Sequence, residues 1–357
     1  MEQLAAIGLS QAQARSFEDL GDRSLIPGRV SAVDRGRHRV LTLDGEVWSS
    51  PAGRLFHQGD DASPVAVGDG VALRTDGGGF QSVHVLPRRT VLQRKAAGQT
   101  AARQVVAANL DTIFVVTAVG HDFNPRRLER YVALVREGGA APAIVVTKTD
   151  LPFDVVAVIR ALDEAAPGLP VAMVSGLSRH GLEELQPMLR TGSTVALVGS
   201  SGAGKSTLAN ALLGEARFAT GAVRAHDERG VHVTTRRELV QLPSGAWLID
   251  TPGMRELGLT GDEAAVDAAF DEIAPLAERC RFADCTHEHE PGCAVQEALQ
   301  SGALSPARWA SYVKLKREAA FAARREDEGA EREHQRRWRA IHMEMRERRK
   351  YDPKQRR

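Results

Sequence analysis

The chain of 357 residues is poor in cysteine (three), in aromatic residues (5%) and in net charge (+1), and it contains no long apolar run. Each scarcity excludes something. Three cysteines cannot build the disulfide framework of a small secreted domain, and all three fall between positions 280 and 293, which points to one local task. No apolar run approaches the roughly 20 residues needed to span a bilayer, and Met1 to Leu20 is mixed and polar, unlike a secretory leader. The chain is therefore read as cytoplasmic, with reduced thiols and no membrane partner. A net charge near zero removes any global nucleic-acid signature, so a nucleic-acid face has to come from local asymmetry. The sequence also shows no tandem repeat.

Composition is otherwise that of an ordinary folded protein, 43% apolar and 26% charged. Residues 1–26 read as a loosely held extension. From Gly28 to Leu86, short β-rich runs (28–33, 39–43, 65–67, 71–74 and 81–85) alternate with turns such as Asp44-Gly45 and Asp76-Gly77-Gly78-Gly79. Five short strands suit a barrel of the oligonucleotide-binding (OB) type, or a small β-domain that only packs. Aromatics there are limited to Trp48, Phe56 and Phe80, which is thin for base stacking, so any RNA contact would run through Arg29, Arg35, Arg37, Arg39 and Arg54 to phosphates. Arg88, Arg89, Arg94, Lys95 and Arg103 read as a basic, solvated linker. Buried strands then alternate with helices to about residue 260, as in a mostly parallel sheet covered on both faces. A helical region with the cysteines follows. The last stretch, Lys314 to Arg357, carries sixteen Lys/Arg against nine Asp/Glu and reads as a charged, solvated helix.

The stretch Gly199-Ser200-Ser201-Gly202-Ala203-Gly204-Lys205-Ser206-Thr207 fills every fixed position of G-x-x-x-x-G-K-[ST], between an apolar strand (195–198) and a helix. The glycines let successive amides turn toward a phosphate chain at the positive end of that helix. Lys205 would reach the terminal phosphates and the Ser206 hydroxyl would ligate magnesium. Asp250-Thr-Pro-Gly253 ends another strand, where Asp250 would hold magnesium through water and the Gly253 amide would meet a γ-phosphate. Thr147-Lys148-Thr149-Asp150 also ends a strand. A carboxylate at 150 accepts the N1 and 2-amino hydrogens of guanine, a donor pair that adenine lacks, and Lys148 can pack along the base. Ser175-Gly176-Leu177, after the next strand, can offer an amide to the guanine carbonyl. Without the phosphate loop, 147–150 would be only a charged loop. Finally, Cys280-x4-Cys285-x-His287-x5-Cys293 has the donor set and tight spacing of a closed, structural Cys3His zinc site, the alternative being three buried thiols and a surface histidine.

The order of these motifs is inverted relative to ordinary GTPases, with the base motif ahead of the phosphate loop and D-x-x-G last. Together with Leu86 to Arg94, Ala107 to Asp111, Gly230-Val-His232, Thr234-Thr235, Gly253 to Glu256 and the cysteine cluster, this order resembles the ribosome small-subunit-dependent GTPase A family. The resemblance runs from about residue 27 to 318. It implies a multidomain α/β protein with an OB-like barrel (27–95), a circularly permuted P-loop GTPase domain (96–260) and a zinc-binding helical domain (261–318); an extension (1–26) and a tail (319–357) lie outside it. It also favours His287 over His289 as the fourth zinc ligand.

In function, the resemblance implies a magnesium-dependent enzyme that hydrolyses GTP slowly, is stimulated by the small ribosomal subunit and acts late in that subunit's maturation. The alternative is an rRNA-binding clamp gated by GTP, with incidental turnover. Expected cofactors are GTP, magnesium and one structural zinc. Expected partners are the small subunit, its rRNA and other assembly factors, around a monomer.

Two departures from the family pattern stand out. Thr147 occupies a position that is usually asparagine, although its hydroxyl still serves to brace the loop. The switch reads His232-Val-Thr-Thr235, which leaves Thr234 or Thr235 as the second protein ligand for magnesium, Thr234 being favoured. Met254 follows D-x-x-G and cannot orient a water, so intrinsic hydrolysis should be slow. His232 is the candidate to position that water, against the alternative of a solvent-facing switch side chain.

Overall fold

The structure, a computed structural model, describes residues 2–34, 36–53, 65–95, 103–218, 237–250 and 263–324. Residues 2–25 are not loosely held. Helices α1 (Glu2–Ala6) and α2 (Gln11–Glu18) flank a turn, with Ser10 and Gln13 forming a reciprocal capping box at the start of α2. Ile7, Leu9, Gln13 and Ala14 are buried. Gly8 needs its missing side chain, because a Cβ there would fall 2.0 Å from the Arg29 guanidinium and 2.8 Å from the Trp247 indole nitrogen. Arg29 is accordingly buried (1% exposed), donating to the Thr194 hydroxyl at 2.7 Å, so it is not available to an RNA phosphate.

Five strands, β1 (Ile26–Asp34), β2 (Arg37–Thr42), β3 (Gly45–Pro51), β4 (Gly70–Asp76) and β5 (Gly79–Val85), pair in the order β1-β2-β3-β5-β4. The β1–β4 pairing closes the barrel. Apolar side chains alternate inward, Val30, Val40, Val71 and Leu73 among them. One expected strand differs. Residues 65–67 supply only an isolated bridge, from Val67 to Ala107, and the place is taken by β3. The Glu-Val-Trp-Ser-Ser run of β3 is largely exposed and carries little hydrophobic pattern. Of the arginines proposed for phosphate contact, Arg39 is paired with Glu238 at 2.6 Å, Arg37 is exposed, and Arg35 and Arg54 lie outside the described residues.

The basic linker is structured as well. β6 (Val91–Lys95) and β7 (Arg103–Ala108) form a hairpin. Arg88 makes two bonds to Asp69, which has no exposed surface, and Arg89 pairs with Asp111. Burial tends to raise the Asp69 carboxyl pKa, and the Arg88 guanidinium opposes that rise.

Beyond the hairpin come β8 (Thr112–Ala118), α3 (Pro125–Glu137), β9 (Ala141–Thr147), α4 (Val155–Ala165), β10 (Val171–Met173), β11 (Thr194–Val198), α5 (Lys205–Leu213), β12 (Glu238–Gln241) and β13 (Trp247–Asp250). The strand order is β10-β9-β8-β11-β13-β12, parallel except for β12. Successive residues face opposite sides. Ile113, Val115, Ile144, Val146, Ala196 and Val198 pack against α3 and α4. Phe114, Val116, Val145, Val195 and Leu197 pack against α5. An Ala32–Glu238 pair joins β12 to β1, so barrel and parallel sheet form one continuous surface.

Helices α6 (Glu263–Ala269), α7 (Ala274–Glu278), α8 (Ala294–Ser301) and α9 (306–324) follow. They extend the α3 side of the core through Val266, Phe270, Val295, Leu315 and Ala319. Leu315, Ala319 and Ala322 are buried, so α9 is not a solvated helix as far as Arg324. Among the described residues no helix is long and apolar enough to cross a membrane.

Candidate functional site: a phosphate loop, a base corner and a thiol cluster

The phosphate loop leaves the buried end of β11 through Gly199, whose φ is 147°. A Cβ there would sit 2.1 Å from the Val116 carbonyl oxygen, so only glycine fits. Gly204 begins α5 in the left-handed region (φ 86°) without a side-chain cap, so no hydroxyl competes with an anion for the first helical amides. The Lys205 ammonium donates to the carbonyls of Gly199 (2.9 Å) and Ser200 (2.5 Å), folding back over the loop it belongs to.

The base corner is built at the end of the second strand along. Thr147 is buried at the tip of β9, its hydroxyl 2.6 Å from the Ala203 carbonyl in the phosphate loop and 3.2 Å from the Thr117 carbonyl. Lys148 turns the chain with a φ of 60°, and the Thr149 amide donates to the Val174 carbonyl. The Ser175 hydroxyl donates to Asp150 at 2.6 Å and accepts from the Ser178 amide. Gly176 lies against Thr207 of α5, where a Cβ would come within 3.0 Å. Leu177 is exposed. Residues 147–150, 175–177 and 199–207 thus meet along the carboxyl edge of the parallel sheet, where ligands of such sheets bind. Asp250 ends β13, the strand beside β11. Gly253, Met254, His232, Thr234 and Thr235 lie outside the described residues.

The sequence reading missed one polar residue at this edge. Asp122, in the short 3-10 turn Gly120–Asp122 after β8, accepts the Ser200 hydroxyl at 2.5 Å and the Ala118 amide at 3.2 Å, and pairs with Arg127 at 3.2 Å. Its one available signal was position, an acidic residue just past the end of a buried parallel strand.

The thiol cluster lies apart, between α7 and α8. The ligand atoms of Cys280, Cys285, His287 and Cys293 all lie within 4.8 Å of one another. Zinc–sulfur bonds of about 2.3 Å and zinc–nitrogen bonds of about 2.0 Å give tetrahedral edges of about 3.8 Å between sulfurs and about 3.5 Å between sulfur and nitrogen. The Cys280 and Cys293 sulfurs are 3.8 Å apart, and the His287 Nδ1 is 3.4 and 3.5 Å from them. The donor set therefore fits a zinc ion. The surroundings hold it in place: Cys293 caps α8 by accepting the Gln296 amide, Gln296 donates to the His287 carbonyl, and Trp309 meets the imidazole edge-on at 5.7 Å. The Glu290 carboxylate accepts from the Thr286 hydroxyl and amide and from the Glu288 and His289 amides, which ties the loop between Cys285 and Cys293 together and holds the Glu290 pKa down to about 2.

The cysteine-bearing region docks on α3 through a buried cation. Arg308 is 3% exposed, paired with Glu129 and Glu272, bonded to the Ala165 and Ala269 carbonyls, and stacked 4.0 Å from the Phe270 ring.

Comparison with known proteins gives consistent matches. Residues 85–260 match the RsgA GTPase family model. A small ribosomal subunit biogenesis GTPase RsgA from Opitutus terrae is 44% identical over 357 residues, covering 97% of each chain. The protein of that name from Xanthomonas axonopodis pv. citri is 50% identical over 261 residues, covering 72% of this chain and 70% of its own. Among solved structures, YjeQ from Thermotoga maritima superposes with a TM-score of 0.63 at 25% identity, covering 83% of this chain and 98% of its own. YloQ, described as a circularly permuted GTPase, superposes with a TM-score of 0.61 at 23% identity, covering 83% of this chain and 96% of its own.

Proposed function

Because this chain belongs to the RsgA GTPase family, we propose that it hydrolyses GTP slowly and acts in the late maturation of the small ribosomal subunit, which stimulates its turnover. The observation that carries this reading is the joining of base corner to phosphate loop. Thr147 braces the loop at Ala203, Gly176 packs on Thr207, and Ser175 holds Asp150, so an acid suited to guanine and a cradle suited to phosphates share one edge. Asp150 accepts the guanine N1 and 2-amino hydrogens, the Gly176 region offers an amide to the base carbonyl, and Lys205 exchanges its two carbonyl partners for phosphate oxygens.

Ser206 and Thr234 would be the protein ligands for magnesium, with Asp250 serving its water shell, and the site would thereby gain positive charge against the triphosphate. His232 positions the attacking water that Met254 cannot. Zinc at Cys280, Cys285, His287 and Cys293 is structural, since four protein donors leave no open position. The inverted motif order puts the switch and D-T-P-G directly before the zinc-bearing helices, so nucleotide state can bias where those helices sit against rRNA.

The test is GTP hydrolysis with and without purified small subunits, with ATP as competitor. Turnover should rise sharply with subunits, and ATP should not displace GTP. Equal competition by ATP, or the same rate with and without subunits, would sink the reading. Release of the protein from subunits without hydrolysis would favour a GTP-gated clamp instead.

A further inference from the structure

We propose that Asp122 is a positioning residue for the phosphate loop, acting through the Ser200 hydroxyl. The proposal rests on the nucleotide reading of 199–207 given above. β8 runs between β9, which ends in Thr147, and β11, which ends in the loop, so the turn after β8 lies between base corner and phosphate cradle. From that turn the Asp122 carboxylate holds Ser200, the second residue of the cradle, at 2.5 Å. The Ser200 carbonyl in turn accepts from Lys205. The carboxylate thus fixes the residue on which the phosphate-binding lysine rests.

Charge alone argues against an acid here. A carboxylate beside an anion site repels phosphate, at a cost that grows as water is excluded. Two features offset this. Arg127 pairs with the carboxylate at 3.2 Å and also donates to the Asp122 backbone carbonyl at 2.6 Å. The Ala118 amide donates to its other oxygen. What the site uses is therefore the acceptor oxygen facing Ser200, with the negative charge neutralised from the α3 side. Thr147 braces the far end of the same loop at Ala203, so the cradle is pinned at both ends before any nucleotide arrives.

The experiment measures GTP and GDP affinity by fluorescent-nucleotide titration and single-turnover hydrolysis on the full-length chain, for Asp122→Ala, Asp122→Asn, Ser200→Ala and the Asp122→Ala/Ser200→Ala pair. Loss of a hydrogen bond to a charged group predicts about tenfold weaker binding of both nucleotides in Asp122→Ala, with the saturating hydrolysis rate within about twofold of wild type. Asp122→Asn keeps an acceptor and removes a charge, so it should bind as tightly as wild type or more tightly. Ser200→Ala should match Asp122→Ala, and the pair should be no worse than either alone.

A wild-type chain that binds GTP while Asp122→Ala binds equally well overturns the proposal alone. So does an Asp122→Asn variant as weak as Asp122→Ala, or a full second loss in the pair. Should Asp122→Ala fail to fold, Ser200→Ala decides: unchanged affinity there refutes the proposal. A wild-type chain that bound no guanine nucleotide would bring down the site reading and the proposal together.

Discussion

The nucleotide edge and the thiol cluster are organised in opposite ways. At the edge, the protein's own hydrogen bonds complete the arrangement: Lys205 on two carbonyls, Thr147 on Ala203, Ser175 on Asp150, and Asp122 on Ser200. Gly199 is required by the Val116 backbone packed against it and Gly204 by its left-handed backbone, so the shape is set by sterics. In the cluster, three sulfurs and an imidazole crowd together with few bonds of their own, a geometry that a metal satisfies far better than thiols satisfy each other. One site is preorganised by the fold around it. The other has the donor set of a part of the fold that a zinc ion would organise.

That contrast breaks most visibly if zinc is removed. Structural zinc supplies about 10–16 kcal/mol at neutral pH in small domains, and that binding energy is folding energy. Cys293→Ser, or chelation of the wild-type chain, should abolish stoichiometric zinc in elemental analysis. Hydrogen-exchange protection across 280–301 should go with it, while GTP still binds at the preorganised edge. Full protection in the zinc-free chain would show that packing alone holds the cluster. Loss of GTP binding as well would show that the two sites are not organised separately.

A smaller effect separates the cluster from its docking. Arg308→Ala leaves Glu129 as a buried carboxylate without its cation, where burial already pushes its pKa up. Removing one partner of a buried pair typically costs about 3–5 kcal/mol. Protection of α6 and α9 should fall by that order in native-state exchange, with zinc content unchanged. Unaltered exchange would mean that the apolar contacts around Phe270 and Leu315 carry the docking alone.

The features legible in the sequence were those in which chemistry and spacing are local. The phosphate loop is one contiguous run between a strand and a helix. The four candidate zinc donors span fourteen residues, and apolar strands alternating with helices announced the parallel sheet. Features set by distant residues were not legible. The N-terminal helices have too few apolar positions to look anchored, and their burial depends on Gly8 lying against Arg29 and Trp247. Arg29 reads as a surface arginine until its partner Thr194, 165 positions away, is known. Asp122 and Ser200 are 78 positions apart. The strand β3 was hidden for another reason, since an exposed barrel strand needs little hydrophobic pattern to be held by its neighbours.

The smallest effect sharpens the account of the preorganised edge. Thr147 offers one hydroxyl hydrogen to two carbonyls, Ala203 at 2.6 Å and Thr117 at 3.2 Å, so one of them is always the poorer served. Thr147→Val keeps the shape and removes the donor, leaving both carbonyls without it. At about 1–3 kcal/mol for an unmet buried acceptor, GTP affinity should drop roughly tenfold. Asparagine carries two amide hydrogens and can serve both carbonyls together. Thr147→Asn should therefore tighten GTP binding by about threefold, the yield of one modest hydrogen bond. Equal affinities for all three chains in nucleotide titration would mean that Gly176 on Thr207, rather than this hydroxyl, holds base corner and phosphate loop together.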